Sequence, residues 1–238
     1  MSPDECLVAQ TRAWQSALLD GAGAPHWFSW RKGPDPGWLA GELTSGRGVP
    51  ARARQVHGSR CVDASECDEL RTCEADAIAT RDPHRVPMVT TADCVPVLVY
   101  CRETESCAAI HAGWRGIALD VVGATIRHMV EHFGCAPESM IAAVGPCASH
   151  HRYEVGADVA EAFTRRGLKE HLLPAARDAK WFADCAGGAA ALLMRAGLAH
   201  GAIDRCSHCT ITDERLASHR REPACGDRML AAIAVRSR

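Results

Sequence analysis

The sequence carries no dominant charge, no long apolar run and no export signal, and each absence excludes a class of protein. Its 27 lysines and arginines nearly balance 29 aspartates and glutamates, and the formal net charge of -2 gives no field that would attract nucleic acid or acidic lipid. No stretch approaches the roughly 18 consecutive apolar residues of a membrane span. The opening residues, MSPDE, lack the basic segment and apolar stretch of a secretory signal. We therefore expect a cytoplasmic protein that binds neither nucleic acid nor a membrane.

Internal repeats, low-complexity segments and an interdomain linker are also missing from the chain. Its 238 residues are enough to bury one sizeable hydrophobic core. Apolar residues make up 47% and charged residues 24%, which is typical of a soluble globular composition. We predict a single domain over residues 1–238.

The cysteine content is high and its number is odd. Thirteen cysteines without an export signal argue against a complete disulfide framework and for a reducing compartment. Most of them are expected to be small buried hydrophobes. Because the chain also has twelve histidines, a few of the cysteines become candidate metal ligands or nucleophiles.

Short apolar runs bounded by turn residues intermix with helical patterns along the chain. Strands are predicted at residues 26–30, 54–58, 77–80, 87–90, 95–100, 107–111, 140–144 and 228–235, and helices at 12–19, 117–133, 157–166 and 184–196. The run at 95–100 is almost continuously apolar, which is typical of a strand buried on both faces. Because strands and helices do not alternate in a regular β-α-β order, we predict an α/β fold of the mixed α+β type, with mixed β-sheets flanked by helices.

Cys94 and His111 flank two apolar runs that together indicate a β-hairpin. If the hairpin is centred between Arg102 and Glu103, Cys94 lies opposite His111, with Cβ atoms about 5 Å apart. His57 also lies where a predicted strand ends. Two imidazoles and a thiolate form a tetrahedral zinc site with one open position, as catalytic zinc requires. The spacing fits equally well a thiolate nucleophile, Cys94, with His111 as its base.

Arg115 lies just ahead of the longest predicted helix, in the segment Gly113-Trp114-Arg115-Gly116. The free amides of a helix N-terminus and an adjacent guanidinium together make an anion-binding site. The glycines would let the backbone come close to a ligand. The segment is compatible with an anion site, and it fits an ordinary turn at a helix start at least as well.

Several longer motifs occur in a fixed order along the chain. They are Gln55-Val56-His57-Gly58, Thr91-Ala92-Asp93-Cys94-Val95-Pro96, His111-Ala112-Gly113-Trp114-Arg115-Gly116, Gly145-Pro146-Cys147 and Tyr153-Glu154-Val155-Gly156. Together they resemble the YfiH-like family, long labelled laccase-domain or polyphenol oxidase proteins. The resemblance extends from about His26 to the C-terminus and ends with Cys209-Thr210 and Ser218-His219-Arg220-Arg221.

The resemblance implies a zinc-dependent purine nucleoside phosphorylase that cleaves adenosine, inosine and methylthioadenosine and also deaminates adenosine. It places the zinc ligands at His57, Cys94 and His111. It also implies a compact α/β fold shared with cysteine-histidine deamidase toxins. We expect a purine nucleoside and phosphate as small-molecule partners, and a monomer or homodimer as the assembly.

Three arginines and one aspartate are the candidate substrate-binding and auxiliary residues for this chemistry. We expect Arg115 to hold phosphate, with Arg31 and Arg221 as further candidates. Zinc would polarise the base or orient the nucleophile, and in deamination it would activate water for attack on the purine C6. Asp93 is expected either to move protons or to orient a ligand, and we favour the orienting role.

Three rival interpretations stay open at the level of sequence. A cysteine hydrolase or amidase would use Cys94 as nucleophile and His111 as base, and thiol alkylation would abolish its activity while chelators would not. A copper-dependent phenol oxidase agrees with the older family label, although the chain has no paired His-x-His motif. A zinc- or nucleotide-binding module without turnover is the third. The stretch between His26 and Gln55 is shorter than is usual in the family, so the preferred nucleoside stays open.

Overall fold

Two β-sheets packed face to face, with helices on their outer surfaces, form the framework of the protein. The computed structural model describes residues 12–67 and 72–236. The strands are β1 (Arg12–Trp14), β2 (His26–Ser29), β3 (Val49–Ala51), β4 (Cys61–Asp63), β5 (Ala77–Thr80), β6 (Arg85–Thr91), β7 (Val95–Cys101), β8 (Ser106–Ala112), β9 (Met140–Val144), β10 (Glu154–Val155), β11 (Leu172–Pro174), β12 (Trp181–Ala183), β13 (Ile203–Arg205) and β14 (Met229–Ile233). The α-helices are α1 (Ala17–Gly21), α2 (Pro36–Leu43), α3 (Trp114–Ala118), α4 (Val121–Phe133), α5 (Ala157–Arg165) and α6 (Cys185–Arg195).

Each of the two large sheets mixes parallel and antiparallel neighbours. The six-stranded sheet has the order β13-β9-β7-β8-β5-β4, and the five-stranded sheet has the order β1-β2-β14-β6-β3. Parallel pairs occur at β13 with β9, β4 with β5 and β3 with β6. A small third sheet, β10-β12-β11, is antiparallel. The predicted mixed sheets are thus confirmed.

Strand β7 contributes to both hydrophobic cores beside the six-stranded sheet. Val97 and Val99 pack in the core that contains α4 and α6, whereas Leu98 and Tyr100 pack with Phe28 of the five-stranded sheet. Every residue of β7 is buried. One face of the strand meets helices and the other meets a second sheet, which explains why its sequence is apolar at both alternating sets of positions.

Helices complete the layers on either side of the two sheets. Val122, Ile126 and Met129 form the buried stripe of α4, in the same core as Leu193 of α6. Leu39 of α2 is buried against the opposite face of the five-stranded sheet. The order helix, sheet, sheet, helices confirms the predicted mixed α/β fold class.

Most predicted elements are confirmed with small differences at their ends. These are the strands at 26–30, 77–80, 87–90, 95–100, 107–111, 140–144 and 228–235, and the helices at 157–166 and 184–196. Every cysteine in the described ranges is free. In the same ranges, no helix has both the length and the apolar character needed to cross a bilayer.

The helix predicted at 117–133 is confirmed from Val121 to Phe133, but its predicted start is wrong, because a separate short helix precedes it. Helix α3 ends at Ala118 and α4 begins at Val121. Between them, Asp120 adopts a left-handed backbone (φ +66°), and its carboxylate accepts a hydrogen bond from the amide of Gly123 at 3.2 Å. Aspartate tolerates this conformation and caps helices well, so it interrupts one helix and starts the next.

The helix predicted at 12–19 is wrong over its first part, and only its last three residues, 17–19, are helical. Arg12–Trp14 forms strand β1, which pairs with β2. Helix α1 begins only after Ser16, whose hydroxyl accepts a hydrogen bond from the amide of Leu19. Serine is a favoured residue at this capping position, and its side chain sets the helix start where the apolar pattern did not.

Candidate metal centre

Three side chains from distant parts of the chain meet at one edge of the six-stranded sheet. Cys94 immediately precedes β7, His111 lies near the end of β8, and His57 belongs to the loop before β4. Their ligand atoms all lie within 4.8 Å of one another. His111 is buried, Cys94 is partly exposed and His57 is exposed. The structure therefore brings together the three residues that the sequence analysis selected.

The predicted hairpin register is wrong by two residues, although the contact that it implied is present. In the structure Pro96, not Cys94, lies opposite His111, and Cys101 pairs with Ser106. The four-residue turn at 102–105 shifts the centre of the hairpin, and Glu105 in it takes a φ of +50°. Cys94 lies two residues from Pro96 and so shares its face of the sheet, where it is a diagonal neighbour of His111.

The segment predicted as a strand at 54–58 is instead a loop, and this loop carries His57. Within it, Arg54 forms only an isolated bridge with Glu74. Gln55 is fixed to the backbone of Thr90 by two hydrogen bonds of 2.8 Å, one donated by its side-chain amide and one accepted by its carbonyl. His57 adopts a left-handed backbone with φ of +58°. The loop therefore presents His57 from a conformation that a strand does not reach.

Asp76 is a residue of this site that the sequence analysis missed. Its carboxylate is fully buried and lies 2.8 Å from Nδ1 of His111. Burial alone would raise the pKa of Asp76, but hydrogen bonds from His111 and from the amide of Gly58 outweigh that effect and hold it below its ordinary value. The available sequence signal was an acidic residue directly before the buried strand β5, where an unpaired carboxylate would be costly.

Cys94 and His111 form a polarised pair. Burial would raise the pKa of the Cys94 thiol, but hydrogen bonds with His111 and His57 lower it to about 7. Burial would lower the pKa of His111, but hydrogen bonds with Asp76 and Cys94 raise it to about 9. The arrangement therefore stabilises a thiolate beside an imidazolium. The thiolate is the form of cysteine that binds a metal ion.

The chemistry and the shape of this group both fit one divalent metal ion. Two imidazoles and a thiolate are ligands that zinc prefers. Gly113 keeps the space between them open, because a Cβ at this position would lie 2.8 Å from Nδ1 of His57 and 3.0 Å from Sγ of Cys94. In the described ranges, this is the one group of three or more His, Cys, Asp or Glu side chains that could share a metal ion.

A cavity of about 750 Å³ opens above the three ligands. Its walls include two aromatic rings, Trp114 and Tyr153, and four arginines, namely Arg54, Arg115, Arg220 and Arg228. The guanidinium of Arg220 lies 4.7 Å from the centre of the Tyr153 ring. The combination of a metal-ligand set and clustered arginines makes the cavity suitable for a ligand that carries an anion.

Arg115 lies in the cavity wall, but not at the start of the long helix as predicted. It is the second residue of the short helix α3, and its guanidinium stacks 4.3 Å over the ring of Trp114. It makes no ion pair with any residue in 12–67 or 72–236. Its charge is therefore available to a ligand from its own position in the wall, and the amides of the long helix are not part of the arrangement.

Arg31 and Arg221 do not line the cavity and are engaged elsewhere. Arg31 forms ion pairs of 2.9 Å with Glu222 and with Asp227. Arg221 donates to the carbonyl of Leu216 at 2.7 Å and also pairs with Glu222 at 2.8 Å. Both side chains thus hold the C-terminal segment together, and the structure does not bring them to the metal-ligand group.

Asp93 lies in the cavity wall, yet its hydrogen bonds go to the C-terminal segment. Its carboxylate accepts from the hydroxyl of Thr210 and from the backbone amide of Arg220, each at 2.6 Å. Its own backbone is left-handed, with φ of +83°. These contacts fix the position of Arg220 in the wall, whereas the carboxylate that contacts a ligand of the candidate metal site is Asp76.

Sequence comparisons place this chain in a known family. The family model described as multi-copper polyphenol oxidoreductase laccase matches residues 39–236. A Xylella fastidiosa protein named purine nucleoside phosphorylase is 38% identical over 184 residues, covering 75% of this chain and 69% of the relative. The Escherichia coli protein named purine nucleoside phosphorylase YfiH is 32% identical over 193 residues, covering 79% and 74%.

Solved structures agree with the sequence comparisons. The Neisseria meningitidis protein NMB0706 is 30% identical with a TM-score of 0.73, and the match covers 84% of this chain and 79% of that one. YlmD from Geobacillus stearothermophilus has a TM-score of 0.79 at 22% identity, covers 97% and 99% of the two chains, and so shares the fold. These matches confirm the resemblance to YfiH-like proteins, and the chain belongs to the family described as multi-copper polyphenol oxidoreductase laccase.

Proposed function

We propose that this protein is a zinc-dependent purine nucleoside phosphorylase that also deaminates adenosine. The observation that carries the proposal is the single cavity in which His57, Cys94 and His111 lie beside four arginines. Its volume of about 750 Å³ suits a nucleoside together with phosphate. The relatives named purine nucleoside phosphorylase support this choice of reaction.

Zinc is the metal that we propose for the three ligands. Histidine and cysteine ligands with an open position are typical of catalytic zinc. When bound, zinc would act as a Lewis acid toward an oxygen or nitrogen atom of the substrate. Within the described ranges there is one group of three ligands and no second group that could hold another metal ion. This favours a site with one metal ion over a multi-copper site.

The arginines of the wall account for the second substrate. In phosphorolysis a phosphate oxygen bonds to C1′ of the sugar while the bond from C1′ to the purine nitrogen breaks, and the electron pair leaves with the purine. The protein must therefore hold a multiply charged anion beside the sugar. We assign this task to Arg115, with Arg220 and Arg228 adding positive charge to the wall, whereas Arg54 is ion-paired with Glu74.

Replacing Arg115 with alanine should weaken phosphate binding selectively. Loss of a charge-assisted contact of about 1.5–3 kcal/mol raises the KM for phosphate about 10- to 100-fold. The KM for the nucleoside should change much less, and steady-state kinetics with each substrate varied in turn would measure the difference. Arg102→Ala is the matched control, since Arg102 is exposed in the turn at the far end of the β7–β8 hairpin. An unchanged phosphate KM in Arg115→Ala would remove this assignment.

The function itself is tested by product analysis of the purified, zinc-loaded protein. Adenosine, inosine and methylthioadenosine are each incubated with and without phosphate, and bases and sugars are separated by chromatography. The proposal predicts free base and pentose 1-phosphate only when phosphate is present. Conversion of adenosine to inosine with release of ammonia should continue without phosphate. Absence of both reactions would refute the proposed function.

Metal binding should strengthen as the pH rises, because the ligands must lose protons. The pKa of Cys94 is about 7 and that of His111 is about 9. Between pH 7 and pH 9, zinc must therefore displace one proton, from His111. Below pH 7 it must displace a second proton, from Cys94. The dissociation constant should fall about tenfold per pH unit from pH 7 to 9 and more steeply below pH 7. Calorimetric titrations in buffers of different ionisation enthalpy would count the released protons. A dissociation constant independent of pH would contradict this linkage.

A cysteine hydrolase is the second candidate, and the hydrogen-bonded pair of Cys94 and His111 favours it. A thiolate beside an imidazolium is the resting state of such enzymes. The two functions respond differently to chelation. Removal of zinc should abolish phosphorolysis and re-addition should restore it, whereas a hydrolase would keep its activity without metal and lose it on alkylation of Cys94.

A further inference from the structure

One buried carboxylate touches both histidine-bearing segments of the candidate metal site. Oδ1 of Asp76 accepts hydrogen bonds from Nδ1 of His111 at 2.8 Å and from the amide of His57 at 3.0 Å. Oδ2 accepts from the amides of Gly58 at 2.7 Å and Val56 at 3.2 Å. The backbone carbonyl of Asp76 also accepts from the amide of His111 at 2.7 Å. All four acceptor positions of the carboxylate are thus used by segments that carry the ligands.

The three successive amides of Val56, His57 and Gly58 all point at this one carboxylate. Such a concave run of N–H groups is an anion-binding arrangement of the backbone, and here the anion is a side chain of the protein. His57 within it has a φ of +58°, a conformation that is unfavourable for a non-glycine residue. The hydrogen bonds to Asp76 offset this cost and so hold the imidazole of His57 toward Cys94.

The contact with His111 determines which ring nitrogen is free. Because Nδ1–H of His111 donates to the carboxylate, Nε2 is the nitrogen that faces Cys94, and it offers a lone pair to a metal once its own proton has left. A metal-bound histidine commonly donates its other N–H to a carboxylate, and this fixes the ring and raises its basicity. The ring planes of His57 and His111 lie at 68° with centroids 4.8 Å apart, so the two imidazoles approach the same point from different directions.

We propose that Asp76 is the positioning residue of this site: a single carboxylate sets the tautomer of His111 and the backbone conformation that presents His57. The proposal rests on the metal binding proposed above, but it concerns the apoprotein as well. Asp76 connects ligands that come from the loop at 54–58 and from β8, while Cys94 comes from the start of β7. It thereby makes the geometry of two ligands depend on one group.

Asp76→Asn is the most informative substitution, because it keeps the shape of the side chain and replaces one acceptor oxygen by an NH2 donor. If the amide NH2 faces the loop, it opposes the N–H groups of Val56 and Gly58. If it faces His111, Nδ1 must accept and the proton moves to Nε2, which then cannot ligate a metal. Asp76→Glu, which keeps a charged acceptor, should recover part of any loss. Asp35→Asn is the matched control, since Asp35 is an exposed helix cap where asparagine serves equally well.

The experiment combines a zinc competition titration with nitrogen-15 NMR of the histidine rings and amide hydrogen exchange. Zinc should bind Asp76→Asn about 10- to 100-fold more weakly than wild type, while Asp35→Asn stays unchanged. In the metal-free Asp76→Asn variant, the amides of His57 and Gly58 should lose protection from exchange. Zinc-loaded wild type should carry the His111 proton on Nδ1.

The measurements distinguish the positioning role of Asp76 from the existence of the metal centre. Wild-type affinity in a folded Asp76→Asn variant, or a zinc-loaded wild-type protein whose His111 carries its proton on Nε2 and not on Nδ1, would overturn the positioning role. If the variants fail to fold, the wild-type ring and amide measurements still decide it. Failure of the wild-type protein to bind zinc, with the amides of 56–58 protected as expected, would refute the metal centre while leaving the loop assignment intact.

Discussion

Substitution of Cys94 by alanine is expected to cause the largest functional loss of any single change in this protein. It removes the one anionic ligand of the three and leaves two imidazoles, one of them on an exposed loop. We expect zinc affinity and phosphorolysis each to fall about a hundredfold or more, because the metal supplies several kcal/mol of charge stabilisation. Metal analysis after dialysis and turnover of adenosine with phosphate measure the two effects.

Cys73→Ala is the control for the loss of a thiol in itself. Cys73 is partly buried at the edge of another hydrophobic cluster and is not part of the metal-ligand group. This variant should bind one zinc and turn over like the parent. Full phosphorolysis by Cys94→Ala would refute the proposed role of the metal centre, whatever the control shows.

The second large effect is expected from Gly113→Ala, which adds one methyl group against two of the three ligands, His57 and Cys94. Its Cβ would lie closer to His57 Nδ1 and Cys94 Sγ than real Cβ atoms normally approach. The backbone of Gly113 (φ -69°, ψ 166°) is in a region that alanine adopts freely, so the substitution causes no backbone strain. Because ligands must be held within about 0.5 Å of their productive positions, zinc affinity should fall about tenfold or more.

Thermal unfolding distinguishes a blocked site from a damaged fold in Gly113→Ala. The metal-free variant should unfold at nearly the temperature of the metal-free parent, while the zinc-dependent stabilisation should be much reduced. Gly201→Ala is the matched control, since a Cβ there meets nothing within 4 Å. Unaltered zinc binding in Gly113→Ala would mean that the ion is not held between His57 and Cys94.

The part of the site that lies on regular strands could be predicted from sequence. The apolar runs that became β7 and β8 fix Cys94 and His111 at the same edge of a sheet, because antiparallel neighbours bring the start of one strand to the end of the other. An error of two residues in register preserved the face of each side chain, since side chains alternate with a period of two. For this reason the contact was predicted correctly from an incorrect pairing.

The loop that carries His57 could not be predicted in the same way. Its residues have the local pattern of a strand, whereas its conformation is set by Asp76, about twenty residues away in the chain. A local pattern contains no information about a side chain that binds three amides at such a separation. Asp120 misled the prediction of the long helix for a related reason, because its left-handed capping conformation is a property of one residue and leaves the apolar spacing intact.

Which of the candidate arginines is available to phosphate also could not be predicted from sequence. Arg31, Arg115 and Arg221 are equally suitable for phosphate when only residue types are considered. In the fold, Arg31 and Arg221 find carboxylate partners in Glu222, whereas Arg115 has none among the described residues. Which cation stays available to a ligand depends on tertiary contacts with the C-terminal segment, and sequence alone does not specify them.

X-ray absorption spectroscopy at the zinc edge of the loaded protein tests the central claim most directly. The claim is that residues from the loop at 54–58, from the start of β7 and from the end of β8 bind one ion together. We expect one zinc per chain with a single sulfur neighbour at about 2.3 Å and nitrogen neighbours at about 2.0–2.1 Å, and loss of the sulfur signal in Cys94→Ala. A spectrum of the wild-type protein without sulfur, or a preparation that binds several copper ions and no zinc, would contradict it.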